Sequence, residues 1–293
     1  MLSEIAGAFE RGDVIPYLGP GVLALAEASE LPASPEALVL HLTSAATVPH
    51  KIRNNLTAAA QYIENFKHRK TVVAAMNKAF SAPTKPTLLH DWLATRSRLA
   101  LLVNAWYDEL PQQAFQRRAD WGLVQGVSQA EHFGEWVQYF RPDGSLVPGK
   151  PFERDGSGAK APAEAPPETR AWKTLVYEPI GSVAPAANYI VSDSDYVEVL
   201  TEIDIQTPIP EAVQLVRRGR NFLFLGCRFA TQIERNYARQ IMKRSSDRHW
   251  AVIEGPITKN ETKFLAEQNI VRIDAPLAEF VGELTGARAA ALV

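Results

Sequence analysis

The chain has 293 residues, 46% of them hydrophobic, which is enough for one large domain or two modest ones and is not the composition of a disordered chain. With 31 Lys+Arg against 33 Asp+Glu, the formal net charge of -2 provides no field to recruit nucleic acid or an anionic membrane. A single cysteine, Cys227, excludes a disulfide framework and any zinc site that needs two thiolates.

No stretch reaches the ~20 apolar residues of a membrane span. The opening MLSEIAGAFERGD lacks the apolar run and cleavage site of a secretory signal. With the lone thiol, this predicts a cytoplasmic protein.

Leu2, Ile5, Ala6 and Phe9 have helical spacing, with Gly12 as the stop. Residues 14–18 are a short apolar run, Gly19-Pro20-Gly21 a tight turn, and 22–28 a helix candidate. Strand, glycine turn and helix begin a nucleotide-binding α/β unit. Ser34-Pro35-Glu36 starts the next helix. The spacing over 52–80 predicts two helices broken near 67–70, and 87–95 predicts another. Residues 98–103 read as a buried strand. Segments 121–127 and 135–140 are β candidates, and Pro142-Asp143-Gly144 is a turn between strands.

Residues 148–169 hold five prolines and three glycines, a composition that suits a surface loop or lid. The α/β rhythm then returns. Strands are expected at 172–176, 188–191, 221–225, 249–253 and 270–273. Helices are expected at 192–200, 209–218, 231–243, 261–267 and 277–284. The alternation implies an α/β fold: a Rossmann-like, mostly parallel sheet with helices on both faces. The chain is expected to be one domain over 1–293, with a helical insertion at 34–95 and an irregular β insertion at 118–170.

In such a sheet, ligands bind at the carboxyl ends of the strands. Those ends carry Gly19, Pro20, Gly21 and Val22, then Asn104, Gly226, Gly255 and Asp274. Glycine lets the backbone approach a phosphate, and Arg228 is placed to pair with one. The same glycines also serve as plain turns, and both readings stand at this point. There is no GxxxxGK[ST] and no HExxH. His90, His41, His50, His68 and His249 read as core or supporting residues, and only His132 is retained as a candidate. Arg217-Arg218-Gly219-Arg220 reads as a helix end rather than a nucleic-acid patch.

Four segments in order, over residues 12–242, resemble the SIR2-like family, the NAD-consuming relatives of sirtuins. VIPYLGPGV is similar to its VIPFLGAGVS turn. PTLLHDWLATRSRLALLVNAWYDELPQQAF resembles its segment ending T-N-Y-D-x-L-L-E. VYEPIGSVAPAANYIVSDSDYVEVL resembles its H-G-S … D-Y segment, and RGRNFLFLGCRFATQIERNYARQIM its F-L-F-L-G-Y-S segment. The resemblance implies a Rossmann-like NAD domain with a helical insertion and NAD or ADP-ribose as ligand or substrate, without a metal. It also implies a cofactor site that includes Trp106, Tyr107, Gly181, Ser182, Cys227 and Arg228. Lysine deacylation is disfavoured, because deacylases of this kind usually carry a four-cysteine zinc module.

The family's catalytic pair is missing. Aligned without gaps, its asparagine falls on Trp106, its histidine on Ile180 and the serine of GAGVS on Leu23. An indole has one donor and no acceptor, and isoleucine takes no proton. Two readings follow. In the first, the protein is catalytically weakened or inactive and binds NAD, ADP-ribose or a related nucleotide, or keeps a role in contacts with a protein partner or in a homo-oligomer. Its alanine- and leucine-rich helices at 37–46 and 56–63 suit a subunit interface, and core packing accounts for them equally well. In the second, it is an active NAD glycohydrolase with a relocated site, in which Asn104, Tyr107 and Asp108 orient water or stabilise the oxocarbenium-like charge and the 148–169 segment closes as a lid. Asp108 reads equally well as a carboxylate at a helix start.

Overall fold

The computed structural model describes residues 1–27, 29–132, 134–148, 165–205 and 209–287. Residues 149–164, most of the expected lid, lie outside that set. The helices are α1 (Leu2–Arg11), α2 (Pro35–Ala45), α3 (Leu56–Lys67), α4 (Arg69–Ala79), α5 (Leu88–Ala94), α6 (Leu110–Phe115), α7 (Asp193–Ile205), α8 (Glu211–Val216), α9 (Gln232–Met242), α10 (Lys259–Glu267) and α11 (Leu277–Thr285). The strands are β1 (Val14–Leu18), β2 (Leu101–Asn104), β3 (Trp121–Gly126), β4 (Val137–Phe140), β5 (Leu146–Val147), β6 (Thr174–Glu178), β7 (Gly181–Ser182), β8 (Asn188–Tyr189), β9 (Asn221–Leu225), β10 (His249–Val252) and β11 (Ile270–Ile273).

Local chemistry sets the boundaries. Ser34 and Asn55 accept from the N–H groups of Ala37 and Ala58 and so start α2 and α3. The helical run over 52–80 breaks at His68, whose φ of 69° no helix accommodates. Thr87, Thr231 and Thr258 open α5, α9 and α10 with reciprocal capping boxes.

Two sequence expectations change. The expected helix at 22–28 is a six-residue 3-10 turn, Pro20–Leu25. Segment 188–191 does not join the main sheet, because β8 pairs antiparallel with β7 in a separate two-stranded sheet.

Among the described residues the main sheet has nine strands in the order β11-β10-β9-β1-β2-β6-β3-β4-β5. It is parallel from β11 through β3, and the β4–β5 hairpin adds antiparallel strands at one edge. Strands covered on both faces are buried along their whole length, as β1, β2 and β6 are, and largely apolar, with Asn104, Thr174 and Glu178 as the buried polar residues of β2 and β6. Successive side chains alternate between faces. Ile15, Tyr17, Val103, Tyr177, Phe222 and Phe224 face a core formed with α2–α4 and α7–α10. Val14, Leu18, Leu102, Val176, Leu223 and Leu225 face a second core formed with α1, α5 and α11.

Helices α2, α3 and α4 pack on one another, whereas α5 packs on α6 and α11. Arg69 of α4 pairs with buried Asp195 at 2.8 Å and also reaches Glu64, Glu131 and the Tyr189 carbonyl. Asp195 in turn accepts from the N–H groups of Val191 and Ser192. This ion pair ties α4 to the start of α7.

Candidate functional site

The chain leaves β1 toward β2 on one side of the sheet and passes from β9 to β10 and β11 on the other. The carboxyl ends of the neighbouring strands β1 and β9 therefore form the switch point, where open α/β sheets take ligands. Gly19–Gly21 and Gly226–Arg228 both lie there.

The two glycine turns meet backbone to backbone. Gly19 N–H donates to the Leu225 carbonyl and Gly21 N–H to the Gly226 carbonyl, each at 2.9 Å. A Cβ on Gly19 would sit 2.6 Å from the Gly226 oxygen, and one on Gly226 would sit 2.4 Å from Val22 N. Gly226 also has φ +66°, which disfavours any other residue. Val22 N–H turns back to the Gly19 carbonyl at 3.1 Å. The Gly21 and Val22 donors are thus engaged within the chain, and the 3-10 turn is too short to carry a helix dipole.

Around this junction the polar groups are paired. Cys227 is buried with Sγ 3.5 Å from the Tyr17 and Leu225 carbonyls, and burial pushes its thiol pKa up, so it is not a nucleophile. Arg228 holds fully buried Glu261 through Nε–Oε1 at 2.8 Å and Nη2–Oε2 at 3.1 Å. Burial would raise the Glu261 pKa, but Arg228 and the N–H groups of Thr258 and Phe229 outweigh it and bring it down to about 2. Gly255 N–H donates to Asp274 Oδ1 at 3.0 Å, and Arg272 pairs with Asp274 at 2.9 Å.

The ends of β2 and β6 are built differently. Asn104 is 2% exposed, and its amide donates to the Asp108 carbonyl at 3.1 Å. Trp106 is buried beside Phe80 and Tyr107, and its indole N–H donates to the Pro32 carbonyl at 2.8 Å. Tyr107 donates to the Ile190 carbonyl at 2.8 Å. Ser182 Oγ lies 3.2 Å from the carbonyls of both Tyr107 and Asp108. Ile180 is in the core, and Gly181 is required, because a Cβ there would lie 2.0 Å from the Asn188 oxygen.

Two acids are buried in this half. Asp108 Oδ1 accepts from the Leu110 N–H at the start of α6. Burial pushes its pKa up to about 6 against the pull of the Leu110 N–H, its own N–H and Asn104. Glu178, at the end of β6, is fully buried, and its pKa is raised well above the usual range by burial, with Asp108 adding to the shift. Gln112 and Gln125 donate to its two oxygens at 2.8 and 3.2 Å, and both also donate to the Ala184 carbonyl. The amides continue outward: Asn188 donates to Gln125 at 2.9 Å, and His132 Nε2 lies 2.8 Å from Asn188 Oδ1.

Sequence reading did not single out Glu178, Gln112, Gln125, Asn188 or Glu261. The available signal was Glu178 itself, a carboxylate closing an apolar strand one residue after Tyr177. Among the histidines, His90 is a buried cap: Thr87 N–H donates to its Nδ1 at 3.2 Å, and burial pushes its pKa down to about 3. His249 Nδ1 accepts from the Phe222 N–H at 2.9 Å. His41, His50 and His68 are exposed and belong to no core, a correction to the sequence reading. Among the described residues no group of three or more His, Cys, Asp or Glu side chains is arranged to hold a metal ion.

A mostly parallel α/β sheet with glycine turns at its switch point defines a Rossmann-like domain. The family model of the SIR2-like domain matches residues 100–273, from the edge of β2 through β11 and more than half of the chain. The chain therefore belongs to the SIR2-like family, whose function is NAD-related. Comparison with curated protein sequences gives no match.

Proposed function

We propose that this protein is a catalytically weakened SIR2-like domain that binds NAD, ADP-ribose or a related nucleotide at the β1–β9 switch point without cleaving it efficiently. One observation carries the reading. The small-residue framework persists where two glycine turns meet, while the Asn104 amide is committed to the Asp108 carbonyl and Trp106 and Ile180 lie in the core. In support, Gly19–Gly21 and Gly226 keep side chains out of the β1–β9 end of the sheet, where the two turns pack backbone to backbone, and half-exposed Arg228, bonded to Glu261, is the cation beside it. The residues at β2 and β6 do not suit the nicotinamide end, since a buried indole and an isoleucine neither orient water nor accept a proton.

The test is calorimetric titration with NAD and with ADP-ribose, with free nicotinamide assayed in the same samples. Binding without release is the expected result. Absence of binding by either ligand overturns the nucleotide reading, and release in proportion to protein concentration overturns the loss of catalysis.

One observation favours the hydrolase alternative: a buried carboxyl, Asp108, poised at about pH 6 beside Asn104. In that case Asn104→Ala and Asp108→Ala both abolish nicotinamide release. Among the described residues no helix is long and apolar enough to cross a membrane. A cytoplasmic location accords with the single thiol. Leu40 of α2 and Phe66 of α3, 64% and 65% exposed, are where a contact with a protein partner or a second copy would form.

A further inference from the structure

The Ser182 hydroxyl has a single proton and more acceptors than it can serve. Ser182 is fully buried in β7, and its Oγ lies 3.2 Å from the carbonyls of both Tyr107 and Asp108 in the β2–α6 turn. It also reaches the Glu178 carboxyl, where its hydroxyl favours the ionised form. A hydroxyl donates once and accepts twice. Ser182 therefore cannot donate to the turn and to a Glu178 carboxylate together.

The surroundings of Glu178 leave its own charge to decide between them. Helix α6 and strand β3 contribute the neutral amides of Gln112 and Gln125. Behind Gln125 stands Asn188 of β8, and His132 lies one bond further out. The β2–α6 turn contributes Asp108, an acid of the same sign, on which Glu109 acts in turn. Among the described residues no cation pairs with Glu178. Such an acid is neutral at low pH and ionises only against the cost of burial.

Each charge state has a complete set of bonds. A neutral Glu178 donates its proton to a lone pair of Ser182 Oγ, which leaves the hydroxyl proton for the turn. An ionised Glu178 is a stronger acceptor than a carbonyl and draws that proton to itself. The Tyr107 and Asp108 carbonyls then keep only the Val183 N–H, at 2.9 Å, and the Asn104 amide, at 3.1 Å. We propose that Ser182 is a hydrogen-bond switch thrown by Glu178: it ties β7 to the β2–α6 turn while Glu178 is protonated and releases the turn when Glu178 ionises. Trp106 and Tyr107 belong to that turn, so the switch acts on the β2–β6 half, and it operates whether or not a nucleotide binds.

The test combines glutamate-carboxyl NMR with amide hydrogen exchange on the full-length protein, each exchange rate corrected for the intrinsic rate at that pH. The Val183 N–H, bonded to the Tyr107 carbonyl, is the reporter. Its protection should fall about fivefold as Glu178 ionises, the worth of one hydrogen bond. The fall should persist in Asp108→Asn, which removes the other buried acid of the turn. In Ser182→Ala, Glu178 should hold its proton about tenfold more tightly, and Val183 protection should no longer follow its titration. Glu178→Gln, which cannot ionise, should keep Val183 protection constant. Four results would each overturn the proposal. They are a Glu178 that does not titrate between about pH 5 and 10, a Val183 protection indifferent to that titration, a fall abolished by Asp108→Asn, and an unchanged Glu178 titration in Ser182→Ala.

Discussion

At the β1–β9 junction the chain closes on itself through backbone, whereas at the β2–β6 junction it closes through side chains. The first contact is two N–H···O bonds of 2.9 Å between glycine turns, with no room for a Cβ at Gly19 or Gly226. The second is a set of amides and hydroxyls around two buried acids, Asp108 and Glu178, sealed by Trp106 and Ile180. Backbone closure tolerates almost no substitution, because an added Cβ meets main-chain atoms. Side-chain closure tolerates more, but it buries two acids and so makes stability depend on pH. The proposed combination of a family framework with weakened catalysis draws on these separate materials.

The largest expected effect falls on the backbone half. Gly226→Val combines a left-handed φ with a Cβ 2.4 Å from Val22 N. It should cost about 3–5 kcal/mol, read as a lower urea midpoint. Gly255, with φ +74° but nothing within 4 Å of an added Cβ, is the control. There Gly255→Ala should cost only about 1 kcal/mol. Equal losses would show that close approach is not what the switch-point glycines provide.

The two halves should respond to pH with opposite sign. The Asp108 pKa is raised from 3.8 to about 6. Its contribution to stability is therefore fully present below 3.8 and lost as the pH rises through about 6. That loss amounts to about 2–3 kcal/mol, and Glu178 extends it to higher pH. The Glu261 pKa is lowered from 4.5 to about 2. Its contribution is present above 4.5 and lost as the pH falls through about 2, with a smaller amplitude of about 1–2 kcal/mol because half-exposed Arg228 is screened by solvent. Buried His90 and His249, with pKa values lowered to about 3 and about 4, also lose stability as the pH falls below 6.5, so the comparison is made between variants: in urea titrations across this range Asp108→Asn should flatten only the upper limb. An unchanged upper limb would break the assignment of buried acid to the β2–β6 half.

The smallest effect is Asn104→Ala. It removes one amide bond to the Asp108 carbonyl, which still has the Ser182 hydroxyl beside it. The expected cost is about 1 kcal/mol by chemical denaturation. A loss several times larger would mean that Asn104 organises the whole strand end.

Much of the fold was legible because periodicity and caps are local. NFLFL, LALLV and the Ser34-Pro35 start each carry their own signal and became β9, β2 and α2. The 3-10 turn at Pro20–Leu25 was not legible, because VLALAEA has helical composition and is held short by the contact with Gly226. Segment 188–191 read as a sheet strand because it is apolar, yet β8 pairs with Gly181–Ser182, whose glycine leaves room for the Asn188 carbonyl. At the site, sequence reading brought forward Asn104, Trp106, Asp108 and Arg228 but missed what each is bonded to. Glu261 lies 33 residues from Arg228, and Glu178 lies 53 from Gln125. Partnerships at that separation leave no mark on local spacing.

By itself, the sequence determined the α/β class, the glycine-ended strands and the SIR2-like relationship. These follow from residue type and from contacts within a few residues. Only the tertiary structure decided that the Gly21 N–H is already bonded to Gly226 and that Asn104 and Arg228 are committed to Asp108 and Glu261. The physical reason is that a side chain's chemistry is fixed by its own atoms, but whether that chemistry is free to act depends on neighbours that folding brings from distant parts of the chain.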